Sequence, residues 1–211
     1  MGNPWLKVPL TDYEGHMALP GIGQTQLLAD ILAGAIERFS PQSVAVLGCA
    51  GGNGFERIPP NVFRVVGVDL NPRYVAEVET RFRGRLNGLE LIAGDIQGKE
   101  VSFAPVDLVF AGLVMEYVDV GIVMAKIGTL LTTPGHLVSV LQLPSAEHAP
   151  VSPSPFSSVQ AVGEIMRLVV PAQLQDVAES RGLVLIDSRT VTSVAGKKFQ
   201  VQAFTKTPSP P

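Results

Sequence analysis

Between residues 43 and 143 five short apolar runs alternate with helical segments and glycine-rich turns, and that alternation leaves few folds open. The runs lie at 43–47, 62–70, 89–93, 106–113 and 136–143 and are apolar almost throughout. Strands of this kind belong to a parallel sheet covered on both faces, because a half-exposed strand would alternate apolar and polar residues. The intervening segments carry helix signals. Leu27, Leu28, Ile31, Leu32, Ala35, Ile36 and Phe39 recur at helical spacing from Gln24 to Phe39, and Ser40-Pro41 stops that helix. Asn71-Pro72 supplies an N-cap and a proline at the first helical position of a helix running to about Phe82. A helix over 121–131 is expected to close at Pro134-Gly135, and one over 171–181 at Gly182. The last two runs, 183–193 and 198–206, are joined through Ala195-Gly196, a link too short for anything but an antiparallel pair.

A chain of 211 residues suits one domain. With 46% hydrophobic and 17% charged residues it is globular and not disordered. A net charge of −3 gives no electrostatic footprint for nucleic acid. One cysteine excludes an intrachain disulfide and any multi-cysteine metal centre, and no metal site is expected. No apolar run is long enough for a membrane span, no signal-peptide pattern opens the sequence, and Leu6 stands where a myristoylation signal needs Ser or Thr. The expected setting is cytoplasmic. Residues 1–23 show no clear period and read as an arm or cap. Residues 24–206 read as a single domain with a lid-like insertion at 144–170, whose first part is rich in Pro and Ser, and the Pro/Ser-rich tail 207–211 reads as disordered.

The chemistry concentrates at strand ends. Gly48-Cys49-Ala50-Gly51-Gly52-Asn53-Gly54 follows the first strand, where open parallel sheets bind ligands and where glycine lets backbone approach them closely. Asp69 closes the second strand 21 residues after Gly48 and can accept both hydroxyls of a ribose. A dinucleotide fingerprint would need a third glycine where Arg57 stands, and a helix to face the pyrophosphate, whereas Pro59-Pro60 limits any helix here to about one turn. S-adenosylmethionine has no phosphate and needs neither. Asp95 can meet the adenine amine, and Ile96 can pack on the ring.

On these residues the chain resembles the class I S-adenosylmethionine-dependent methyltransferases across about 40–206. "VAVLGCAGGNG" is similar to the glycine-rich first motif, "VVGVDLNPRYV" to the second, "GDIQ" to the adenine turn and "VDLVFAGLVMEYVD" to the fourth strand. The resemblance implies an α/β, Rossmann-like seven-stranded mixed sheet with an antiparallel last strand and helices on both faces. It implies S-adenosylmethionine bound by Gly48, Cys49, Ala50, Gly51, Gly54, Asp69, Leu70, Asp95, Ile96 and Ala111. Tyr13 and Met17 of "DYEGHM" close over the cofactor in this reading. His16, Tyr117 and Glu116 are the candidate catalytic groups, and His148 a candidate lid contact. The fourth strand lacks the Asn/Asp-Pro-Pro-Tyr/Phe motif used on nucleobases and glutamine, so the expected partner is a small-molecule acceptor, with no nucleic acid and no membrane. A homodimer is compatible with the sequence. Two alternatives stay open: an NAD(P)-dependent oxidoreductase, and a non-catalytic module that binds S-adenosylmethionine.

Overall fold

The computed structural model describes residues 2–207; the expected disordered tail lies almost wholly outside them. Seven strands form one sheet in the order β3-β2-β1-β4-β5-β7-β6. They are β1 (Ser43–Leu47), β2 (Arg64–Asp69), β3 (Leu89–Ala93), β4 (Val106–Gly112), β5 (Leu131–Gln142), β6 (Leu183–Thr192) and β7 (Lys198–Lys206). The first five pair in parallel, and β7 runs antiparallel to both β5 and β6. Strand order reverses between β1 and β4, and this opens a crevice at their carboxyl ends.

The apolar runs explain the layers. Within β1, Val44 and Val46 face one core while Ala45 and Leu47 face the other. The first core is covered by α2 (Gln24–Phe39) and α3 (Pro72–Phe82), the second by α4 (Val120–Leu130) and α6 (Pro171–Glu179). A sheet buried on both faces leaves no polar side of the strand, and the runs are apolar for that reason. α2 spans the expected residues and ends at Ser40, in the left-handed region at φ 46°, whose N–H donates to Ile36 O. α3 begins where expected, with Asn71 Oδ1 accepting the Arg73 N–H at 3.0 Å.

One expectation needs correction, and two segments without a readable period take on local structure. No loop separates α4 from β5. The strand starts at Leu131, not at 136, and Pro134-Gly135 lies within it. The register slips between Val106 and Leu108 of β4, so 132–135 form a bulge that absorbs a proline unable to donate to the ladder. The N-terminal arm is not irregular. Pro4–Lys7 is a 3-10 turn and Leu10–Ala18 is helix α1, which buries only His16 and Met17. A helix held at scattered points on two sides carries no continuous apolar stripe to read. The insertion also holds structure: α5 (Ser157–Gln160) runs into a 3-10 turn, Ala161–Glu164.

Among the described residues no helix is long and apolar enough to cross a membrane, and no cluster of His, Cys, Asp and Glu could hold a metal ion.

Candidate active site

A cleft opens at the carboxyl ends of β1, β2, β3 and β4, roofed by the arm and the insertion. Its floor is backbone and carboxylate. Gly48 at the end of β1 has φ +68°, and a Cβ there would press on Val114 at 3.3 Å. Ala50 also lies in the left-handed region, at φ 46°, so the loop stores strain beside the ligand space. That turn aims the Ala50 N–H at Asp69, donating to Oδ2 at 2.8 Å, while the Asn71 N–H donates to Oδ1 at 2.8 Å. Burial pushes the Asp69 carboxyl up to about 6, although both amides pull it down. Each oxygen keeps a lone pair free for a ligand hydroxyl.

At the end of β3, Asp95 and Ile96 line the same cleft. Asp95 Oδ1 accepts the Gln97 N–H at 2.9 Å, so it closes its own turn as well. Gln97 Oε1 in turn accepts the Asp119 N–H, tying this turn to the start of α4. Leu70 is in the wall, and Leu113, in the left-handed region at φ 58°, directs the chain past the cleft at the end of β4.

The roof is aromatic. Trp5 meets Tyr13 and Tyr117 edge-on, with ring centroids 5.8 Å and 5.1 Å away. Burial raises the hydroxyls of Tyr13 and Tyr117, and nearby carboxylates add to this, so both stay protonated. The arm is fastened from below. Asn71 Nδ2 donates to Trp5 O at 3.0 Å, Tyr74 Oη donates to Val8 O at 3.0 Å, and Arg81 grips Glu14 with both terminal nitrogens. From the insertion, Ser158 Oγ donates to Asp12 at 2.6 Å, and Ser154 Oγ lies 2.9 Å from His16 Nδ1. Gly15 admits the Phe156 ring, which would stand 2.5 Å from a Cβ placed there.

Ten of the fifteen residues expected at the site line this cleft: Gly48, Ala50, Asp69, Leu70, Asp95, Ile96, Tyr13, His16, Met17 and Tyr117. Five do not. Cys49 is buried with its sulfur turned toward Gly67 of β2, and burial raises its thiol well above the ordinary value. Gly51 faces a second cavity behind the loop, where its missing side chain leaves room for Glu14 and Arg81. Gly54 lies against Ala29 and Leu32 of α2, where glycine permits close packing. Ala111 is core. Glu116 lies beneath the cleft, 1% exposed. Its Oε1 accepts the Gln142 N–H at 2.7 Å and its Oε2 has no partner. Burial pushes its carboxyl up to about 7. His148 packs toward Gly196 outside the cleft.

Sequence reasoning missed Trp5, Gln24, Gln142 and Lys197, all of which line the cleft. Lys197 alone carried a signal, as the residue after a tight turn, but nothing local shows it turning inward.

A family profile described as a methyltransferase domain matches residues 45–139, from β1 into β5. Three solved structures share the fold. Magnesium protoporphyrin IX methyltransferase from Synechocystis PCC 6803, solved with bound S-adenosylhomocysteine, is 11% identical over 88% of this chain and 84% of that one, with a TM-score of 0.64. The N-methyltransferase NodS from Bradyrhizobium japonicum WM9 is 16% identical over 91% and 99%, with a TM-score of 0.65. The 4+2 cyclase SpnF is 15% identical over 85% and 81%, with a TM-score of 0.66. No curated protein matches the sequence. Residues 45–139 thus match a methyltransferase domain, and the chain as a whole has the fold of solved S-adenosylmethionine-dependent methyltransferases. More particularly, the fold is the seven-stranded form, with β7 antiparallel to its neighbours.

Proposed function

We propose that the protein transfers the methyl group of S-adenosylmethionine to a small-molecule acceptor held beneath the arm and the insertion, in a cytoplasmic setting. The observation that carries this reading is Asp69. Its carboxylate is fixed by two backbone amides on the floor of a cleft built from bare loop backbone, and its remaining lone pairs face the space a ribose would take. The residues fit the nucleoside: Gly48 and Ala50 approach it with backbone, Asp69 takes the ribose hydroxyls, and Asp95 with Ile96 takes adenine. When bound, the cofactor supplies a methyl carbon activated by an adjacent sulfonium.

The chain's own residues then have modest tasks. Trp5, Tyr13 and Tyr117 exclude water and orient the acceptor, and holding reactants in line supplies much of the acceleration in such a reaction. His16, 5% exposed, is kept neutral by burial and by the nearby Lys197 charge. Its imidazole is therefore free to take a proton from an acceptor hydroxyl or amine. Glu116 is not placed for that role. Its carboxyl holds Gln142 from below and so acts by positioning.

The nicotinamide alternative fits poorly. The segment after the glycine loop is a three-residue 3-10 turn, Phe55–Arg57, with no helix end to face a pyrophosphate.

Calorimetric titration with S-adenosylhomocysteine tests the proposal. Wild type binds it and does not bind NADH. Asp69→Ala loses about 1–3 kcal/mol, the cost of leaving ribose hydroxyls unpaired. Unchanged affinity in the variant, or NADH binding in its place, overturns the reading.

A further inference from the structure

The upper part of the cleft holds polar groups that the cofactor reading does not use. Lys197 lies in the turn between β6 and β7 and is only 3% exposed, yet it lines the cleft. Its ammonium makes one hydrogen bond, to Pro150 O at 2.9 Å. It has no ion pair among the described residues, and burial lowers its ammonium below the ordinary lysine value. A buried lysine with two unused donors and no counter-charge is costly unless a ligand supplies the charge. Gln24 lines the same cleft at 7% exposure, and its side-chain amide has no hydrogen-bond partner among the described residues. Gln24 is also the first residue of α2, a 16-residue helix with no side-chain cap and no acidic residue in its first turn. The positive end of that helix is therefore unmatched. The two groups come from adjoining structure, since Val194 of the β6–β7 turn packs over Gly23, next to Gln24.

We propose that Lys197, Gln24 and the start of α2 form a carboxylate-binding subsite, so that the methyl acceptor is a small apolar molecule bearing a carboxylate. The apolar body would lie among Val159, Val162, Met166 and the aromatic roof. An ammonium and an amide N–H together match the two oxygens of a carboxylate, and charge-assisted bonds of this kind exceed neutral ones about twofold in strength. The inference rests on the methyltransferase reading, and its test separates the two.

The protein is first saturated with S-adenosylhomocysteine; failure of wild type to bind it would count against the methyltransferase reading itself. 3-Phenylpropanoate and its neutral amide, 3-phenylpropanamide, are then titrated by calorimetry and by the fluorescence of Trp5, the sole tryptophan, which stands in the cleft wall. The expected result is at least about tenfold tighter binding of the acid by wild type. Lys197→Met, which removes a buried charge and so should fold, brings the acid down to the level of the amide and leaves S-adenosylhomocysteine binding intact. Lys197→Gln and Gln24→Leu reduce the preference in the same direction. The subsite proposal is overturned if acid and amide bind alike, if neither binds at millimolar concentration, or if the preference survives in Lys197→Met. A loss of S-adenosylhomocysteine binding in Lys197→Met also overturns it, because the subsite would then serve the cofactor's own carboxylate.

Discussion

Single residues at this site differ in how far local sequence fixes them. Asp69 and Asp95 could be read directly, because a carboxylate at the end of an apolar strand has one place to go in a parallel sheet. Ala111 and Glu116 misled for the complementary reason: proximity to a strand end does not say which face a side chain takes. Glu116 went beneath the cleft, and its energetics are testable. Its carboxyl titrates near 7 in the fold, against about 4.3 in an unfolded chain. A carboxyl raised by folding is most comfortable neutral, so the stabilisation it offers is full below about pH 4 and lost as pH rises through 7. Glu116→Gln is neutral throughout. It should be more stable than wild type at pH 8 by about 2–3 kcal/mol, and the gap should close below pH 5. Urea unfolding at both pH values checks this, and a gap that does not change with pH would refute it.

Among the elements, α2, β1, α3 and β3 were legible because period, caps and breakers agreed on them. The arm and insertion were not, since their helices are short and are held by particular tethers. Asn71 is the chief tether. Its amide N–H bonds Asp69, its Oδ1 caps α3, and its Nδ2 holds the arm at Trp5 O, all while 2% exposed. Asn71→Ala keeps the backbone bond to Asp69 and loses the other two. It should cost about 2–3 kcal/mol, combining a lost cap with a buried carbonyl left unpaired. Trp5 emission should shift to the red as the arm loosens. Loss of stability with no change in emission would mean that the arm is held by other contacts. Arg81 offers a contrast: in its pair with Glu14 the side chains are 36% and 40% exposed, and such pairs contribute less than about 1 kcal/mol.

In the whole molecule, a doubly packed base and a tethered roof divide along the cleft. Both cores and the central strands lie below it. Above it lie an arm and an insertion that touch mainly each other and the rim. The parallel sheet and its closing antiparallel pair were legible from strand and helix order, and the seven-stranded arrangement from the resemblance. The cleft's upper wall was not, because it joins residue 5, residue 24, residues 150–166 and residue 197, which only the finished fold brings together. Hydrogen exchange should therefore be fast over 4–18 and slow in β1 and β4. S-adenosylhomocysteine should slow exchange in the arm more than in the sheet, and equal slowing in both would contradict this division.

The Asn71 junction carries one more consequence. A single residue steadies the carboxylate proposed to hold the nucleoside and anchors the roof over the space beyond it. Whatever settles one therefore steadies the other, and linkage requires the favour to be returned in equal measure. The two ligands are then expected to bind synergistically, with the nucleoside entering first and preparing the chamber that the second compound completes.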